Sequence, residues 1–262
     1  MIRWLSLVLL AVTQSVLFAE ELLKAPNQNA SPINQRRAYG NACGPASLLN
    51  AFQYGDEEWQ KPFHAVPGNK SRSSIRHVVA TWGNRPSNHI KGVNRWDYKK
   101  GINLLDLTDM ANEMCSPHQL PKIKYEILTR KPREKPEKLL RRSHDLIASS
   151  LKKGLPPILS IRRYAYRYSK EVGGKSWWPI RAHFIVIIEV PKKIPRNASS
   201  YQIRYVDPFG GFTRLGRIHI DTAGFTNSPF LAATMPDASI GKSFVQPGEE
   251  TILTFSAIMG RW

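Results

Sequence analysis

The order of segments along the chain is the strongest constraint on its fold, because helix-forming stretches come early and extended ones late. Five segments of the second half are rich in β-branched residues: "PPILSIRR" (156–163), "AHFIVIIEV" (182–190), "YQIRYVDP" (201–208), "GRIHI" (216–220) and "TILTFSAI" (251–258). Turn residues separate several of them. Ahead of these, residues 43–52 and 104–114 have helical composition, and "PEKLLRRSHDLIASSLKKG" (136–154) carries a complete set of helix signals. Pro136 suits the first turn and Gly154 the stop, Lys152 and Lys153 favour the C-terminal end, and Leu140, His144, Ile147 and Leu151 fall on one face. Helices first and strands later predict an α+β fold with an antiparallel sheet.

Of the 262 residues, 42% are hydrophobic and 22% charged, a balance that lets a chain bury a core. No internal repeat or low-complexity tract interrupts it. Residues 1–19 read as a secretory signal peptide: Arg3, an apolar run from Trp4 to Phe18, then the small Ala19. An uncleaved anchor is the other reading of that segment. Residues 20–34 read as a polar leader, and 35–262 as one domain with a large insertion around 55–135, of which 55–100 is rich in Gly, Pro, Asn, Trp and charge. The protein is therefore expected to be exported, to a periplasmic or extracellular space.

The formal charge of +18 calls for polyanionic surroundings such as an envelope polymer, an anionic lipid surface or acidic peptides. Nucleic acid fits the charge alone, but no helix-turn-helix, zinc-finger or aromatic RNA-reading pattern accompanies it.

The chemistry is concentrated in "GNACGPASLLNAF" (40–52). Pro45, Leu48, Leu49 and Phe52 follow helical spacing and predict a core-facing stripe, which puts Cys43 at the helix entrance. Unpaired amides and the positive end of the helix dipole favour a thiolate there, and the same amides can hold an oxyanion. A thiolate nucleophile needs an imidazole and a group to orient it. Of seven histidines, only His183 and His219 fall in strand segments, and His183 opens the most apolar one. Asp207 ends the strand segment "YQIRYVD", so two neighbouring antiparallel strands would bring Asp207 beside His183.

The ordered blocks "GNACGPASLLNAF", "LKKGLPPILSI", "AHFIVIIEV" and "YVDPFGG" resemble the successive motifs of papain-like cysteine peptidases, in particular the bacteriocin-processing, double-glycine leader peptidase type. The resemblance covers roughly half of the chain after the leader. It implies a nucleophile helix packed on a C-terminal antiparallel sheet and a Cys-His-Asp triad at Cys43, His183 and Asp207; a peptide or protein substrate and no cofactor are expected beside it. The family usually places a glutamine about six residues before the cysteine to complete the oxyanion hole, where this chain has Arg37. Gln35 is the candidate for that role, with Asn41 and Arg37 as the other possible donors. Leader-processing members usually belong to membrane transporters, so the substrate is not inherited with the resemblance.

Other readings stand beside this one. Cys43 and Cys115 could pair as a disulfide in an exported chain. Cys115 and His118 have a Cys-x-x-His spacing that does not by itself complete a zinc site, and no structural metal is expected. "RRYAYRYSK" (162–170), as a strand, puts Tyr164, Tyr166 and Tyr168 on one face and Arg163 and Arg167 on the other. That basic face is either solvated or the wall of a cleft selecting anionic substrate, and Trp177 and Trp178 either cover the same cleft or fill the core. The expected function is an exported thiol hydrolase cleaving a peptide or amide bond. A transglutaminase-like acyltransferase and a catalytically silent, basic envelope-binding module are the alternatives, and thiol reactivity separates the silent module from the enzymes.

Overall fold

The computed structural model describes residues 21–68, 71–221, 229–238 and 240–262. The expected signal peptide, 1–19, lies outside them. In chain order the elements are β1 (Leu22–Lys24), α1 (Cys43–Gln53), α2 (Glu57–His64), α3 (Ser71–Val78), β2 (Trp96–Asp97), β3 (Gly101–Ile102), α4 (Leu104–Cys115), β4 (Lys124–Ile127) and α5 (Pro136–Lys152). Then come β5 (Ile158–Ser169), β6 (Gly174–Pro191), β7 (Ser200–Asp207), β8 (Phe212–His219), β9 (Leu231–Thr234) and β10 (Glu250–Gly260).

The fold is α+β with a large antiparallel sheet. Its strands run in the order β6-β5-β10-β9-β8-β7, and β7 pairs back onto β6, so the hydrogen-bonded ring closes. Closure removes open edges from these strands. The ring was not anticipated from the sequence; it depends on β6 being long enough to pair with β5 along most of its length and with β7 near its end. The run Phe184–Val190 is buried throughout, with no alternation between faces. A strand of that kind is covered on both sides, and α1 and α5 both pack against β6. Ile185, Val186 and Ile187 are fully buried, each worth about 1.5–3 kcal/mol against exposure, which makes β6 a rigid support.

The helices form where their signals lie. Leu48, Leu49 and Phe52 of α1 are fully buried, and Leu140, His144, Ile147 and Leu151 make the core face of α5. Gly154 follows α5 with φ of 79°, the left-handed conformation that lets a chain leave a helix.

Several expectations are corrected. The polar leader is part of the domain: β1 pairs with the end of β6, and Ala25 and Ile33 are buried in the core. A three-residue edge strand flanked by polar residues leaves no periodicity to read. His183 lies inside β6 and does not open it, because the strand begins at Gly174 as one arm of the long β5–β6 hairpin. The basic face of β5 is not solvated: Arg163 is buried, donating to the Ile240 carbonyl at 2.6 Å and to Thr251 Oγ1 at 3.0 Å. Arg167 donates to the Phe244 carbonyl at 3.1 Å and to Glu249 at 2.8 Å. The segment before β10 folds back over these arginines and supplies three of the four acceptors, Ile240, Phe244 and Glu249. Cys43 and Cys115 are both free, so no disulfide joins them. Among the described residues, no helix is long and apolar enough to cross a membrane.

The insertion expected over 55–135 is ordered into α2, α3, α4 and three short strands, and its last strand, β4, joins the main sheet beside β10. Its β2–β3 ribbon leans on the entrance of α1. A Cβ at Gly44 would stand 2.3 Å from Ile102 Cγ2, so the glycine after Cys43 is what allows β3 to approach the helix.

Candidate active site

Cys43 is the first residue of α1, and Ala42 at the N-cap supplies no side-chain bond to the free amides behind it. Two buried side chains fix the helix. Ser47 Oγ, one turn after Cys43, donates to the Phe184 carbonyl at 3.0 Å. Asn50 Oδ1 accepts the Ile33 amide at 2.8 Å, tying the helix to the strand of chain that leads to Gln35.

His183 is buried on β6, and its Nε2 donates to Asp207 Oδ1 at 2.8 Å. That leaves Nδ1 available to Cys43, which lines the same cavity and interacts electrostatically with the imidazole. Asp207 is held in turn: its Oδ1 also accepts the Phe209 amide at 2.8 Å, and antiparallel pairing of Val186 with Val206 aligns the two strands. The structure brings Cys43, His183 and Asp207 together.

Their electrostatics are coupled. Burial raises the Cys43 thiol, but the hydrogen bond and charge of His183, with the Phe184 and Gly44 amides, outweigh it and leave the pKa below the ordinary thiol value. Burial likewise disfavours the imidazolium, yet the hydrogen bonds to Asp207 and Cys43 and their charges raise His183 to about 10. Both shifts favour a thiolate beside an imidazolium. Cys115 shows the contrast: buried with no such partner, its thiol is pushed up to about 12.

Gln35 is buried at the same site. Its Nε2 donates to the Gly40 carbonyl at 2.6 Å, its Oε1 has no hydrogen-bond partner among the described residues, and its backbone amide donates to the Pro208 carbonyl at 2.8 Å, next to Asp207. Asn41 is committed elsewhere: Nδ2 donates to the Tyr98 and Lys99 carbonyls, and Oδ1 accepts from Arg181. Arg37 lines a different cavity, with Pro32 and Gly211. Of the three oxyanion candidates, Gln35 is the one whose amide lies against the Cys43 cavity with a second N–H to spare.

The cavity measures about 190 Å³ and joins Gln35, Cys43 and His183 to Arg181, Phe209 and Phe244. Trp177 and Trp178 do not line it; both are half-buried on the outer part of the hairpin, where Trp177 packs on Tyr166 at 5.3 Å between ring centroids. Sequence reasoning missed Arg181 and the 240–244 wall. Arg181 had a readable signal, since it precedes His183 by two residues and so shares its face of the strand. The wall had none.

One group of possible metal ligands occurs among the described residues, His89, Asp106 and Asp109, with ligand atoms within 4.8 Å of one another. Their atoms are engaged: Ser87 Oγ and Asn103 Nδ2 donate to Asp106, His89 pairs with Asp109 at 3.0 Å, and the two carboxylates act on the buried Arg95. That arrangement braces the insertion. Compared with known proteins, the chain matches no protein-family model, and no curated protein matches it.

Proposed function

We propose that the protein is a papain-like thiol hydrolase that cleaves an amide bond in a peptide or protein substrate. The observation that carries this reading is the placement of Cys43 and His183 on one cavity with His183 hydrogen-bonded to Asp207, the thiol being lowered and the imidazole raised in pKa.

In the reaction, the Cys43 thiolate attacks the substrate carbonyl carbon and a C–S bond forms. The carbonyl oxygen becomes an oxyanion, received by the Cys43 backbone amide at the helix entrance and the Gln35 side-chain amide. The His183 imidazolium gives its proton to the leaving nitrogen as the C–N bond breaks, leaving a thioester. Neutral His183 then takes a proton from water, whose oxygen attacks the thioester, and the acid leaves as the thiolate and imidazolium are restored. Asp207 holds the ring so that Nδ1 faces the sulfur throughout.

The basic balance and the amino-terminal pattern support an exported enzyme working near anionic material. N-terminal sequencing of the native protein tests export: a start at Glu20 supports it, and an intact Met1 opposes it. An activated acyl ester tests the chemistry. Intact-mass analysis is expected to show one acyl group, on Cys43, whose turnover requires His183; acylation that ignores Cys43→Ser would overturn the reading.

A further inference from the structure

Two arginines stand directly across the β5–β6 pair beside the nucleophile. Arg163 and Arg181 are cross-strand partners, on the same face, and like charges so placed repel. Both flank Gly241, where a Cβ would lie 3.1 Å from Arg181 Cβ and 3.5 Å from Arg163 Cδ. Neither makes an ion pair among the described residues. Among the described residues, the acceptors of Arg163 are the Ile240 carbonyl and the Thr251 hydroxyl, and burial lowers its pKa. Arg181 is held by Asn41 Oδ1 and by stacking over Phe244, 5.6 Å from the ring centroid.

The local backbone directs Arg181 to this place. The register between Arg163 and Tyr164 of β5 skips Ile180 on β6, a bulge of the kind that re-aims side chains. Arg181 lines the Cys43 cavity with donors left over, since a guanidinium carries five N–H groups and Asn41 uses one of its nitrogens.

We infer that this pair of arginines forms an anion subsite that selects substrates with a carboxylate within about one residue of the scissile bond. Arg181 receives the carboxylate, and Arg163 behind it adds charge that no carboxylate among the described residues offsets. A charge lining the cavity with a second one buried behind it acts more strongly than exposed charges do. The inference rests on Cys43 being the nucleophile and names the substrate class of that site.

The test compares two alkylating probes at Cys43, iodoacetate and iodoacetamide, which differ in a carboxylate against an amide. The rate ratio is measured by mass spectrometry in the folded full-length protein and, as reference, in urea. Relative to urea, the folded wild type is expected to favour iodoacetate about tenfold, the equivalent of one charge-assisted hydrogen bond. Arg181→Gln is expected to remove that preference. Arg181→Lys is expected to keep part of it, because it retains the charge without the planar fork, and it guards against misreading a folding defect. An unchanged ratio on folding, or one indifferent to Arg181→Gln in a protein with an unaltered urea midpoint, would overturn the subsite. Loss of Cys43 selectivity over Cys115 with both probes overturns the nucleophile instead. Peptides with Asp against Asn on either side of the cleaved bond, each with a free or amidated C-terminus, then separate a side-chain carboxylate from a terminal one. Equal cleavage of all forms would also count against the subsite.

Discussion

Ser47 and Phe184 join the nucleophile's helix to the histidine's strand: the Ser47 hydroxyl, one turn beyond Cys43, donates to the carbonyl of the residue following His183 at 3.0 Å. The bond is buried, so water cannot replace it. It places the two reacting side chains on supports that are fastened to each other next to the point of reaction.

Ser47→Ala is therefore expected to lower stability by about 1–3 kcal/mol, the cost of leaving a buried polar group unmatched. Urea unfolding checks this. Cys43 alkylation should slow in the same variant, because the thiol and imidazole lose their shared anchor. A variant as stable as wild type would show that this bond does not join the two elements.

Gln35 is predicted to act on transition-state stabilisation without touching the thiolate. Its side chain bonds to the Gly40 carbonyl and lines the cavity, while the Cys43 shift is set by burial, His183 and the Phe184 and Gly44 amides. Gln35→Ala should lower the rate of acyl transfer by about 10²–10³, the usual loss for one oxyanion donor. Iodoacetamide labelling of Cys43, which forms no oxyanion, should change little. Equal losses in both assays would reassign Gln35 to folding.

The thiol–imidazole pair also predicts a shape for stability against pH. The ordinary values are 9.0 for the thiol and 6.5 for the imidazole, and in the fold the first is lowered and the second raised to about 10. Above 9.0 the unfolded pair binds no proton while the folded pair keeps one as imidazolium up to about 10, so the unfolded state binds fewer protons and stability falls as pH rises from 9.0 towards 10. Urea midpoints of wild type minus the double variant Cys43→Ser/His183→Gln should show this falling limb. A difference that stays level or rises over that interval would show that the pair is not ionised as described.

The parts of the site that were legible in the sequence share one property: each is determined by its own neighbours. Helical spacing from Pro45 to Phe52 places Cys43 at an entrance, and the unbroken apolar run after His183 identifies a strand buried on both faces. Asp207 follows from the next strand and the turn after it. The remainder is determined by contacts distant in sequence. Arg163 reads as a solvated cation until the carbonyl of Ile240, remote along the chain, is seen to receive it. β1 is three residues long and takes its strand conformation from pairing with β6. The closure of β7 onto β6 likewise depends on the length of β6, whose first half, "GKSWWPIRA", contains Pro179 and a bulge and so lacks clean alternation.

The most direct test of the proposed function is the pH dependence of iodoacetamide labelling at Cys43, with Cys115 as the internal reference, in wild type and His183→Ala. Cys43 in wild type should label with a midpoint below the ordinary thiol value of 9.0, while Cys115, buried and raised to about 12, stays unlabelled. His183→Ala should move the Cys43 midpoint upward, because the imidazolium that outweighs burial is gone. A Cys43 midpoint at or above the ordinary thiol value, unmoved by His183→Ala, would contradict the thiolate–imidazolium pair and the hydrolase built on it.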